Sequence, residues 1–143
     1  MSEQRQFCTF FLDDLFFGVN VLHVQEVIRY QDMTPVPLAP QVVGGLINLR
    51  GQIVTAIDLR RQLGLAERAP DQLPMNVVAS NEEGVVSLLV DEIGDVLEVD
   101  QDDFEKPPET LAESVRGVIS GVYKLQDRLL LVLDTNRVVH VGG

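Results

Sequence analysis

The chain has little of what most protein chemistry needs. It holds one cysteine and two histidines in 143 residues. The lone Cys8 excludes an internal disulfide and fits a reducing compartment; its place in an apolar strand pattern suits a small buried hydrophobe. His23 and His140 are far apart, and neither has the close spacing of a metal-ligand pair. Gly44-Gly45 lacks the lysine and serine of a phosphate loop. No nucleophile, base and orienting group form a set, so neither catalysis nor a cofactor is expected. No apolar run approaches the roughly 18 residues of a membrane span, and Met1–Gln6 is too polar to begin a signal peptide. A cytoplasmic protein is expected.

Basic residues are scarce as well. Lys and Arg total 11 against 22 Asp and Glu, for a formal charge of −11. Residues 73–143 carry −9 of it. Such a chain is a poor ligand for nucleic acid or an anionic membrane. Nine carboxylates lie between Asp91 and Glu109, without the Asp-x-Asp-x-Asp-Gly order of a calcium loop. They read as a solvated acidic face.

What is present is apolar and strand-like. A hydrophobic fraction of 45% in one domain's length can bury a sizeable core. Phe7–Leu12 and Phe16–Val19 flank Asp13-Asp14-Leu15 as a hairpin. Val21–Ile28 has apolar spacing for one or two helical turns, with Asn20 as cap and Glu26 the charged residue within it. Thr34–Pro40, with three prolines, must be extended and irregular. Met75–Ser80 and Val85–Val90 form another hairpin, the second strand buried on both faces. Val118–Leu125 and Leu129–Leu133 form a third, after which Asp134 is placed to cap a turn through Val139. No internal repeat is visible. Short strands with frequent turn signals imply an all-β barrel or sandwich.

The centre of the pattern is Gly44–Arg60. Two apolar runs flank Arg50-Gly51, where glycine can take φ > 0 and let the strands fold back. Asp58 is placed to cap a short helix that Gly64 ends. Asn48 and Arg50 interrupt the first run just before the turn.

Asn48-Leu49-Arg50-Gly51 followed by Ile57-Asp58-Leu59-Arg60 resembles the CheW family of bacterial chemotaxis coupling proteins. Val24-Gln25-Glu26 and Gly121-Val122-Tyr123-Lys124-Leu125 with Asp127-Arg128-Leu129-Leu130 add to the resemblance, which spans Phe7 to Val139. Thr55 stands where the family has proline, which puts protection of an edge strand in doubt. The resemblance implies a mainly β domain over residues 7–139, built of two small five-stranded β-barrels with a few short helices, and flexible termini at 1–6 and 140–143. It implies an adaptor without catalysis that couples methyl-accepting chemoreceptors to the histidine kinase CheA, cytoplasmic and associated with receptor arrays. The receptor tip and the kinase's regulatory domain are the implied partners. Val24, Glu26, Gly45, Asn48 and Arg50 fall on matching positions of the partner surface, with Glu26 facing Arg50. Exposed apolar residues at the outer end of one barrel are expected to meet the kinase. An adaptor of a surface-motility pathway is the nearest alternative; a small-molecule-binding barrel is one of another class and requires a deep apolar pocket.

Overall fold

The computed structural model describes residues 3–82 and 84–139. It contains ten strands: β1 (Gln4–Leu12), β2 (Leu15–Asn20), β3 (Val24–Ile28), β4 (Val43–Leu49), β5 (Gln52–Asp58), β6 (Met75–Asn81), β7 (Gly84–Val90), β8 (Glu92–Asp100), β9 (Ile119–Lys124) and β10 (Leu129–Leu133). Three short helices join them: α1 (Leu59–Gln62), α2 (Glu113–Arg116) and α3 (Thr135–Val139). The strands form two five-stranded sheets, ordered β8-β1-β2-β10-β9 and β3-β6-β7-β5-β4. The mainly β class agrees with the strand pattern of the sequence, and the two five-stranded units agree with what the resemblance implies. The ladders do not close into barrels: each sheet keeps two outer strands. β1 begins at Gln4 because residues 4–6 pair with residues 98–100, so those residues belong to the sheet rather than to a terminal tail. The expected tail at 140–143, with His140, lies outside the described residues.

Two other expectations change. Only Val21–His23 is helical, a single 3-10 turn whose Leu22 N–H is accepted by Asn20 Oδ1 at 2.9 Å. Val24–Ile28 is a strand, because its half-buried residues alternate and pair with β6. Tertiary pairing overrides a spacing that also suits a helix. Thr55 is not on an edge: β5 lies between β4 and β7, with Leu46 and Val86 opposite Thr55.

The two sheets repeat one design without repeating a sequence. In one, Thr55 lies between Leu46 on an antiparallel neighbour and Val86 on a parallel one. In the other, Leu131 lies between Val122 and Phe17 in the same manner. Three residues on, Asp58 and Asp134 each cap a helix, accepting the N–H groups of Arg60 and Asn136 at 3.0 Å. Their own N–H groups donate to Val42 O and Val118 O, at 2.8 and 2.9 Å. The segment after each outer strand returns to bridge the opposite one, Thr34 to Leu46 and Glu105 to Val122. Each helix then reaches the other sheet's hairpin, through Arg60 to Asp13 and through Asn136 Oδ1 to Glu82 N–H.

One core serves both sheets. Phe10, Leu12, Phe17 and Leu131 of the first pack in one cluster with Ile57, Val77 and Leu88 of the second. β7 buries nearly every side chain, as its mostly apolar sequence requires, and its one polar residue, Ser87, donates to Asn76 Oδ1 at 2.7 Å. A smaller cluster of Phe7, Phe16, Tyr123, Leu130 and Val132 fills the first sheet alone.

Candidate functional site

The β4–β5 hairpin sets the site's geometry. Arg50 and Gly51 both take positive φ, 52° and 90°, the turn that matches the twist of paired strands. Asn48 Oδ1 accepts the Gly51 N–H at 2.9 Å and so holds the turn from within. This local bonding explains why a polar residue interrupts the strand. Arg50 is then directed toward β3, where its Nη2 lies 2.7 Å from Glu26 Oε1. β3 and β4 are the outer strands of one sheet. The ion pair therefore spans the seam that hydrogen bonds leave open.

The seam places the five singled-out residues unequally. Glu26 and Val24 are half-buried on β3, while Asn48 and Arg50 are exposed. Arg50 keeps 79% of its side chain exposed, and its remaining N–H donors face solvent beside the pair. Gly45 is buried and meets the bridging segment instead. A Cβ there would stand 2.8 Å from Met33 Cβ and 2.9 Å from Thr34 O, so only glycine admits the Thr34–Leu46 bridge. Apolar side chains border the seam: Ile53, opposite Asn48, is 60% exposed, and Val27, beside Glu26, is 38% exposed.

Sequence reasoning missed a second charged cluster. Arg60 grips Asp91 with two bonds, Nε–Oδ1 at 2.9 Å and Nη2–Oδ2 at 2.6 Å, and reaches Asp13 at 2.5 Å. Arg68 adds Nε–Asp91 Oδ1 at 2.9 Å and Nη1–Asp58 Oδ1 at 3.3 Å. Asp91 is the single residue between β7 and β8, where the chain passes from one sheet to the other. Burial works to raise the Asp91 carboxyl, but the Arg60 bonds, the Asp13 N–H and both guanidinium charges hold it below the usual range. The Asp91 bonds raise the Arg60 guanidinium above its ordinary value, against the effect of burial. The cluster thus clasps the two sheets. The sequence offers little signal for it, since Asp13, Arg60, Arg68 and Asp91 lie on separate segments.

Cys8 is half-buried and unpaired, and burial raises its thiol, which disfavours the reactive thiolate. His23 is exposed, and among the described residues no three His, Cys, Asp or Glu side chains could hold a metal ion. No described helix is long and apolar enough to cross a membrane. Asp91 is half-buried in its ion-pair cluster, whereas Glu92, Asp95, Glu98, Asp102 and Asp103 are exposed.

Comparison with known proteins covers almost the whole chain. The CheW-like domain family model matches residues 6–142. The Treponema pallidum chemotaxis protein CheW is 31% identical over 140 residues, covering 95% of this chain and 82% of that protein. The Rhizobium meliloti chemotaxis protein CheW is 31% identical over 134 residues, covering 94% and 86%. The crystal structure of the scaffolding protein TtCheW from Thermoanaerobacter tengcongensis shares the fold, with a TM-score of 0.87 at 24% identity, over 99% of this chain and 96% of that one.

Proposed function

The chain belongs to the CheW-like domain family, and from that premise we propose that it is a chemotaxis adaptor linking methyl-accepting chemoreceptors to the histidine kinase CheA. The match over residues 6–142, with relatives named as chemotaxis proteins, carries this reading. The relatives named CheW favour it over a surface-motility adaptor. As an adaptor the protein performs no reaction of its own; it works by binding two partners in one geometry.

The Glu26–Arg50 seam is the receptor-facing surface in this account, with Val24 and Asn48 on it and Gly45 shaping its floor. Ile53 and Val27 supply apolar area beside a polar rim, the composition of a partner-binding patch. The kinase's regulatory domain meets exposed apolar residues elsewhere on the two sheets. Residues 7–139 act as one domain of two subdomains, held by the common core. A receptor's change of shape alters the free-energy difference between kinase-on and kinase-off assemblies by binding this adaptor unequally in the two. Association with receptor arrays at the membrane follows from those contacts.

Reconstitution tests the proposal. The purified chain is mixed with a chemoreceptor's cytoplasmic fragment and the CheA regulatory domain from the same organism. Co-elution of all three supports the adaptor; retention of neither partner overturns it.

A further inference from the structure

The repeat between the two sheets singles out a cleft that the adaptor reading does not use. It encloses about 360 Å³ and is lined by Asn20, Phe104, Ser120, Tyr123 and Asp134 on the first sheet, together with Arg5 and His23. Register gives these residues counterparts on the second sheet. Asp134 lies three residues after Leu131, as Asp58 lies three after Thr55. Asn20 lies three residues after Phe17, as Leu89 lies three after Val86. Ser120 is two residues before Val122, as Gly44 is two before Leu46, and Phe104 precedes the bridging Glu105 as Met33 precedes the bridging Thr34.

On the second sheet the chain itself covers part of this place, leaving a cleft of about 250 Å³. Met33, Gly44, Asp58 and Leu89 face the loop that follows α1, residues 67–74. Arg68 anchors that loop, with Nη1 at 3.3 Å from Asp58 Oδ1 and Nη2 at 3.1 Å from Leu89 O. Its side chain is only 9% exposed. The loop proceeds through Ala69 into a turn at Pro70-Asp71, where the Gln72 N–H donates to Ala69 O at 2.9 Å, and holds no helix or strand until β6. On the first sheet no described residue takes the position of Arg68. Asp134 keeps the cap bond to Asn136 and an ion pair with Arg137 at 3.4 Å, the counterpart of Asp58 with Arg61 at 3.7 Å. The ligand that Asp58 has and these contacts do not supply to Asp134 is a second guanidinium.

We propose that this cleft is a docking site for an arginine-bearing loop segment of a partner protein, whose guanidinium sits on Asp134 beside Asn20. The chain's own Arg68 loop shows that the same scaffold position seats such a segment. Arginine fits because its planar fork meets a carboxylate and a carbonyl together, and a chain of net charge −11 attracts a basic partner at long range. Tyr123 and Phe104, ring centroids 5.3 Å apart, offer an apolar wall to the residues flanking the arginine.

The probe is an end-capped decapeptide with the sequence of residues 65–74, Leu-Ala-Glu-Arg-Ala-Pro-Asp-Gln-Leu-Pro, titrated into the full-length isotope-labelled chain. Amide shifts at Asn20, Ser120 and Asp134 are expected to move saturably. Replacing the peptide's arginine with glutamine, or using the Asp134→Asn protein, weakens binding about tenfold, the loss for one charge-assisted hydrogen bond. Asp134→Glu, which keeps the charge, retains part of the affinity. The proposal is overturned by unchanged shifts at these residues, by equal binding of both peptides, or by shifts confined to the 66–74 loop. Binding that emerges only after residues 140–143 are deleted overturns it too, since the chain's own end is then the occupant.

Discussion

Glu26 and Arg50 join the two outer strands of one sheet, 24 residues apart in sequence and 2.7 Å apart in space. The pair closes a seam where no ladder runs, and it does so with Arg50 largely in solvent. An exposed ion pair contributes about 1 kcal/mol or less to folding. Its energetic value to the fold is small, so its worth lies in presenting a shaped, charged surface to a partner.

The Asp91 clasp is of the other kind. Breaking a fully buried ion pair costs about 3–5 kcal/mol, and this half-buried, multiply bonded cluster falls between that and the exposed case. Asp91→Asn and Arg60→Gln are therefore expected to lower the melting temperature far more than Arg50→Ala does. Thermal unfolding followed by circular dichroism decides it, and equal small shifts for all three variants contradict the clasp.

The same cluster sets an acid limb. Asp91 has an ordinary carboxyl value of 3.8, and the folded protein holds it lower. A depressed carboxyl stabilises the fold fully above its unfolded value and loses that contribution as the pH falls through the folded one. Urea unfolding between pH 6 and about pH 2 is expected to show stability dropping below roughly pH 4 in the wild type, and less steeply in Asp91→Asn.

Gly45 belongs to the seam as backbone, not as a contact. Gly45→Val places a branched side chain against Met33 and Thr34 and breaks the bridge to Leu46. Overpacking of this sort costs about 1–3 kcal/mol. Hydrogen exchange should quicken at the Thr34 and Leu46 amides, which exchange 2.8 Å bonds in the native fold. Undisturbed protection there contradicts the account. Gly121→Val tests the counterpart, where a Cβ would stand 2.6 Å from Glu105 O.

Much of this was legible in the residues. Hairpins announced themselves through apolar runs broken by Asp13-Asp14, Arg50-Gly51 and Gln126-Asp127-Arg128, because turn chemistry is local. The Glu26–Arg50 contact was legible only through resemblance, since it joins outer strands whose proximity depends on the curl of a whole sheet. Val24–Ile28 resisted for a related reason: five residues satisfy both periods, and pairing with β6 decides. The Arg60–Asp91 clasp and the repeat of design were invisible. One joins residues 31 apart across a sheet boundary, and the other preserves register and caps while sharing almost no side chains.

The most direct test of the central claim is a double-mutant cycle on Glu26 and Arg50, read as receptor binding and kinase activation in reconstituted arrays. Arg50→Glu and Glu26→Arg each set like charges together and should abolish most coupling while leaving thermal stability nearly unchanged. The double swap restores opposite signs across the seam, and coupling should recover well above either single variant. A double variant as defective as the two singles combined would mean that the residues act independently, and that the seam is not the receptor-facing surface.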